Sequence, residues 1–226
     1  MDTTAILVYS GIALSLGLVI WLGLRGARKR TEGLQAIATS LAATFRPKAT
    51  AEDMALLDQS HLRSHSHDPE MTNVMETART GDLGITLLDY TYRTGFGKEA
   101  QVWNQTVLRM QSPMLHLPQF LLYPESIFSK IAQAFGYSDI DFPAFPKFSK
   151  MYMVRGADEA TVRRVFTPAV IQFCEQHRGI SLEAGGDRLL FFRLAKRVKP
   201  EAITTFLDDG KRMMALFFEA TQTAVA

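Results

Sequence analysis

The longest uninterrupted apolar run in the chain is its beginning. From Thr3 to Leu24 the sequence reads TTAILVYSGIALSLGLVIWLGL, without one charged side chain. The run is apolar at every phase, whereas a helix on the surface of a soluble domain keeps only one stripe apolar. At 1.5 Å per residue it makes a helix of ~33 Å, enough to cross a hydrocarbon core of ~30 Å. Trp21 and Tyr9 lie toward the two ends, where headgroup-depth aromatic rings are favoured. A cleaved signal peptide needs a basic leader, a shorter core and a small-x-small site. Here MDTT precedes the apolar core of the run and RGARKR follows it, so the pattern predicts a retained anchor.

After the span the period becomes helical. Leu34, Ile37, Ala38, Leu41 and Phe45 recur at helix spacing up to Arg46-Pro47, and Thr50-x-x-Asp53 suits a capping box for a second short helix. Residues 60–70, SHLRSHSHDPE, read as a polar loop. The period then falls to two. Strands are predicted around Val74–Ala78, over Ile85–Arg93 and over Gln101–Met110, with Thr94–Lys98 as a glycine-rich turn. Leu115, Leu117 and Phe120 continue as an extended segment that Pro118 should confine to a sheet edge or an irregular run.

Beyond it the pattern predicts a helix over Ser126–Phe135, a proline-punctuated aromatic loop over Asp139–Phe148 and a short strand over Met151–Arg155. A helix from Asp158 should break and restart at Thr167-Pro168. Ile180–Glu183 and Arg188–Leu194 form a hairpin around Ala184–Asp187. A last helix opens at Pro200, and Gly210 on its apolar stripe should mark close approach to another backbone. The fold class is α+β: a transmembrane helix, short linking helices, an antiparallel meander with packed helices, and a C-terminal hairpin plus helix. The expected division is an anchor with its basic flank over 1–30, a helical linker and polar loop over 31–71, and a cytoplasmic domain over 72–226.

The chain has 226 residues and a formal net charge of +2 built from interspersed signs, which gives no field for nucleic acid. The charge that matters is local. Arg25, Arg28, Lys29 and Arg30 follow the span and no basic residue precedes it. The positive-inside rule therefore places Met1 outside and residues 25–226 in the cytoplasm. The single cysteine, Cys174, suits a reducing compartment. Gly11-x-x-x-Ser15 and Ala13-x-x-x-Gly17 would let two copies of the span approach closely, a route to a homodimer.

In the middle of the chain a set of residues occurs in order: Asp89-Tyr90-x-Tyr92, Gly95-x-Gly97-Lys98, Gln105-Thr106-Val107 and Leu117-Pro118-x-Phe120, then Pro124-Glu125, Phe135-Gly136, Asp139-Ile140-Asp141-Phe142, Pro146-x-Phe148-Ser149 and Val154-Arg155-Gly156. Over residues 72–210 this resembles an uncharacterised group of bacterial proteins, each with an N-terminal membrane anchor and a cytoplasmic α+β domain. The resemblance implies that architecture and a bacterial inner-membrane setting. It assigns no catalytic residue.

Candidate chemistry is sparse. His61-x-x-x-His65-x-His67, with Asp68 or Glu70, has metal-like spacing in a serine-rich stretch that also suits a solvated loop. Gly95-Phe96-Gly97-Lys98 lacks the spacing and hydroxyl residue of a phosphate loop and fits a hairpin. Asp139 and Asp141 with Glu125 could form a carboxylate site. The same Asp-Ile-Asp-Phe also suits a loop in which Ile140 and Phe142 plug the core. Cys174 sits on an apolar helix face, as a buried inert thiol would. Arg188, Arg193, Lys196, Arg197, Lys199, Lys211 and Arg212 could join Arg25–Arg30 against an anionic leaflet.

The sequence assigns no catalytic, cofactor-binding or metal residue and no cofactor. It points to a single-pass, membrane-anchored module that binds a protein partner or anionic lipid headgroups. A metal-dependent hydrolase using the 61–67 histidines or the Asp139/Asp141 pair is one alternative. A pocket for a lipid or other apolar ligand among the Phe-rich elements is the other.

Overall fold

Helix α1 (Thr3–Ser40) does not stop at the basic flank. In this computed structural model, which describes residues 3–64, 66–95, 97, 100–127 and 139–223, its 38 residues run unbroken for ~57 Å. Along the first half, Tyr9, Leu14, Val19, Trp21 and Leu24 are all exposed, on every side of the helix. In the last turns Leu34 and Ala38 are wholly buried. The helix ends in a left-handed cap: Ala42 has φ 51°, and Ala43 N–H donates to the Ala38 carbonyl at 2.8 Å.

That cap turns the chain straight into a strand. The expected helix around Phe45 is therefore β1 (Thr44–Lys48), an edge strand in which Pro47 is tolerated because its missing N–H faces no partner. Thr50 and Asp53 do form the capping box, for α2 (Ala51–Ala55). The polar stretch after it is not all loop. It holds α3 (His61–Ser64) and the start of β2 (His67–Glu76). β2 carries two register shifts, His67/Glu70 around Pro69 and Thr72/Met75 around Asn73, which the period-two pattern could not reveal.

β3 (Gly84–Thr94) and β4 (Gln101–Gln111) form the expected hairpin. β5 (Leu117–Pro124) is neither an edge nor irregular: it pairs with β6 (Tyr152–Gly156) on one side and β7 (Ser181–Gly186) on the other. Pro118 fits inside the sheet because the β5–β7 register shifts between Leu117 and Phe120, so it lies in a bulge. With β8 (Arg188–Phe192) the sheet has the order β1-β2-β3-β4-β8-β7-β5-β6, every pair antiparallel.

The remaining helices are α4 (Pro146–Met151), α5 (Glu159–Val165), α6 (Pro168–Gln176) and α7 (Ile203–Thr223). Thr167 caps α6 with Pro168 at its first position, as the sequence predicts. Pro146 nucleates α4 within the expected aromatic loop. The helix expected over Ser126–Phe135 lies outside the described residues beyond Ile127.

The sheet divides the core. One face packs Leu87, Leu108, Phe120 and Phe191 against the end of α1 and helices α4 to α7. Phe120 meets Phe166 at 5.0 Å and Phe217 at 5.3 Å between ring centres, so these rings pack against one another in the core. A Cβ on Gly210 would come within 2.2 Å of Leu108 Cδ2. The close approach expected there is thus to β4 side chains, not to a backbone. The other face packs Leu88, Tyr90, Tyr92, Val107 and Phe192 beneath Leu57 and Leu62 of the α2–α3 stretch.

Candidate functional site: a buried joint and an arginine-rimmed cleft

Where α1 meets the sheet, a charged residue of each is withdrawn from water. The Arg30 side chain is 13% exposed and that of Asp89 is 0% exposed. Arg30 Nε and Nη2 donate to the two Asp89 carboxylate oxygens, each at 2.7 Å, the bidentate geometry that suits a buried pair. Arg30 Nη1 donates to the Val198 carbonyl at 2.7 Å and Nη2 to Thr106 Oγ1 at 3.0 Å. Asp89 accepts further bonds from Asn73 Nδ2 and Thr106 Oγ1, both at 2.9 Å. Thr31 Oγ1 donates to Asn73 Oδ1 at 2.8 Å, and Val198 N–H to Thr106 Oγ1 at 3.0 Å.

The local backbone is shaped for this network. Asn73 has φ 52° and sits at the β2 bulge, which turns its amide toward α1. Gly33 lets Pro200 approach to 3.1 Å of where a Cβ would be. Rotation and sliding of α1 would each break several of these contacts, so helix and sheet move together.

On the opposite sheet face, at the end away from the exposed part of α1, lies a cleft of about 590 Å³. Arg63, Arg155 and Arg188 stand around it, with Leu121 and Leu190 among its apolar lining. Arg188 is tied to the chain turning into α3, donating to the Asp58 carbonyl at 3.0 Å and the Gln59 carbonyl at 3.3 Å. Arg63 Nε, 4.0 Å from the Asp58 carboxylate, is buried with no hydrogen-bond partner among the described residues.

Glu183 also lines this cleft and is 4% exposed. It accepts from Tyr123 Oη at 2.5 Å and from Leu62 N–H at 3.1 Å. Burial pushes its carboxyl up from the usual range, and burial with the neighbouring Glu183 raises the Tyr123 hydroxyl too.

The sequence-predicted candidates fare unevenly. His61 lines the cleft and His67 opens β2, while His65 is outside the described residues. Among the described residues no group of three His, Cys, Asp or Glu is placed to hold a metal ion. Gly95 and Gly97 have φ 74° and 61°, as a hairpin turn requires, and β4 follows instead of the helix of a phosphate loop. Asp139 is spent on structure: its Oδ1 accepts from Val154 N–H at 3.0 Å. Burial, then Val154 and Asp141, set its carboxyl, with a net upward shift. Ile140 and Phe142 are buried plugs, the Asp141 carbonyl accepts from Arg163, and Glu125 is exposed on a 3-10 turn. Cys174 is wholly buried and its thiol is pushed up by burial, an inert group.

The expected basic surface splits. Arg30 is consumed by the joint. Arg193 lies 3.9 Å from Asp209 and over the Phe206 ring, and Arg188 is at the cleft. Lys196, Arg197 and Lys199 are exposed beside the joint, as are Arg25, Arg28 and Lys29. Sequence reasoning missed Asp89 and Glu183 as buried acids. Each carried a signal: Asp89 interrupts Leu87-Leu88-x-Tyr90, and Glu183 sits between Leu182 and Ala184.

No protein family and no curated protein matches the sequence. The fold, however, is similar to that of a bacterial protein, the mycobacterial trehalose monomycolate transport factor A, TtfA. The two superpose with a TM-score of 0.54 at 12% sequence identity, over 87% of this chain and 94% of that crystal structure's chain. At that identity the likeness is one of fold alone; this chain's own long N-terminal helix is apolar enough to cross a membrane.

Proposed function

We propose that the protein is a single-pass, membrane-anchored interaction module of a lipid-transport-related assembly in a bacterial inner membrane. Met1 lies outside and residues 25–226 face the cytoplasm. The observation that carries this reading is the joint. An anchor that only tethers needs a flexible linker, whereas Arg30, Asp89, Asn73 and Thr106 fix the domain's pose on its helix. A fixed pose is useful to a domain that must present one surface at one height and angle to a partner. The likeness in fold to a trehalose monomycolate transport factor supports this setting. The exposed cations beside the joint suit anionic headgroups, and the small-residue face of the span suits a second copy of the helix.

In-membrane crosslinking of the full-length chain should recover a reproducible partner set, which Asp89→Ala should reduce severalfold at equal protein level. Recovery of no partner, or an unchanged set from the variant, would overturn the reading. Protease added to spheroplasts should leave residues 25–226 intact; digestion there would reverse the orientation.

The cleft supports a second reading, a site for a small amphiphile with an anionic group. Its arginines would hold the charge, and Leu121 and Leu190 would meet the apolar part. Native mass spectrometry of the full-length chain released from its membrane should show an added mass that Arg63→Ala with Arg188→Ala removes. An identical spectrum for the variant would sink this reading.

A further inference from the structure

The direction of α1 relative to the sheet determines what else reaches the bilayer. Arg30 lies level with Asp89 on β3. Ala38 bonds to Ala43, just before Thr44, which is level with Glu76 and, through it, with Thr86. From Arg30 to Ala38 the helix advances ~12 Å. From Asp89 back to Thr86 the strand covers ~10 Å. Helix and strand therefore run antiparallel, side by side, and β3 continues past the joint toward the exposed end of α1.

Beyond Asp89 the strand adds Tyr90 to Thr94, ~17 Å, while the helix needs only ~9 Å to reach Leu24 and ~13 Å to reach Trp21. We infer that the paired strand ends at Arg93 of β3 and Val102 of β4 form a second membrane contact, seated in the headgroup layer of the same bilayer that holds α1. This rests on the anchor reading above and adds a surface to it.

The residues there have the chemistry of an interface. Val102 is 55% exposed at that end, and the Arg93 side chain, opposite it across the hairpin, is 58% exposed. Arg197 Nη2 donates to Thr91 Oγ1 at 2.9 Å, holding the exposed cations Lys196, Arg197 and Lys199 against the same strand. The neighbouring β2 brings two acids, Asp68, 3.8 Å from Arg93, and exposed Glu70, paired with Thr91. Four cations, Arg93, Lys196, Arg197 and Lys199, stand against these two acids beside an exposed apolar side chain, a balance that suits an anionic surface.

The chain supplies its own control. Met114, at the opposite end of β4, is 51% exposed, and buried Cys174 will not label. Val102→Cys and Met114→Cys in the full-length protein, each carrying a fluorophore, would be placed in nanodiscs of anionic lipid with a headgroup quencher. The Val102 label should be quenched severalfold more than the Met114 label, and less so in zwitterionic lipid. Equal quenching at 102 and 114 would overturn the inference. A label at Leu18→Cys separates the two ideas: if it is quenched by chain-attached quenchers and Val102 is not, the second contact alone fails. If Leu18 is untouched, the anchor reading fails with it.

Discussion

Asp89 and Glu183 are both buried acids on interior strands, on opposite faces of one sheet, and they meet the cost of burial in different ways. Asp89 has a full counter-charge, with Arg30 across both oxygens and two neutral donors besides. Glu183 has none as close among the described residues, and is held by a tyrosine hydroxyl and backbone N–H groups while its carboxyl shifts toward the neutral form. The first arrangement fastens two elements and goes wrong if either partner is lost. The second leaves a group that can change its protonation beside an open cleft.

The largest effect should come from breaking the first. Asp89→Ala leaves the Arg30 guanidinium buried without its counter-charge, a loss of about 3–5 kcal/mol. Denaturant unfolding of the full-length chain in detergent would measure it, and hydrogen exchange over residues 31–40 should show the helix end released. Arg30→Met combined with Asp89→Leu should recover much of that loss, because no unpaired charge remains. A double variant as unstable as Asp89→Ala would mean that the pair contributes more than neutralisation.

At the cleft, Tyr123→Phe removes the shortest donor to Glu183 and should cost about 1–3 kcal/mol. Glu183→Gln asks the sharper question. A carboxyl raised on folding binds its proton more tightly in the native state, so stability falls as pH rises from the unfolded carboxylate value through the folded one, then levels off. The glutamine variant should lose that fall, matching the parent at pH 4 and exceeding it at pH 8. If both proteins have the same stability–pH curve, folding does not raise the Glu183 carboxyl.

The contrast also explains what was legible in the sequence. Elements set by local patterning were readable: the long apolar N-terminal helix, the β3–β4 hairpin, the Thr50 and Thr167 caps and the C-terminal hairpin. Elements decided by a neighbour's position were not. Pro118 reads as an edge signal until a bulge accommodates it, and Phe45 keeps helical spacing until Ala42 adopts a left-handed conformation and turns the chain into β1. The joint unites residues 30, 73, 89, 106 and 198, and no periodicity relates them. Arg30 shows the difficulty best, because as one of four cations after a span it reads as a topology signal. Only the buried carboxylate 59 positions away gives it a second task.

The smallest effect isolates burial as the cause. Arg28 lies on the same helix, two residues before Arg30, and its Nε is 2.8 Å from Glu32, nearly the separation of the Arg30–Asp89 pair. Its side chain is 83% exposed and that of Glu32 is 61% exposed. Water solvates both groups whether or not they meet, so Glu32→Gln should change stability by no more than ~0.5 kcal/mol, and salt should erase even that. The same unfolding measurement serves for both pairs. If Glu32→Gln approached Asp89→Ala, charge on the helix rather than burial at the joint would be holding the domain to its anchor.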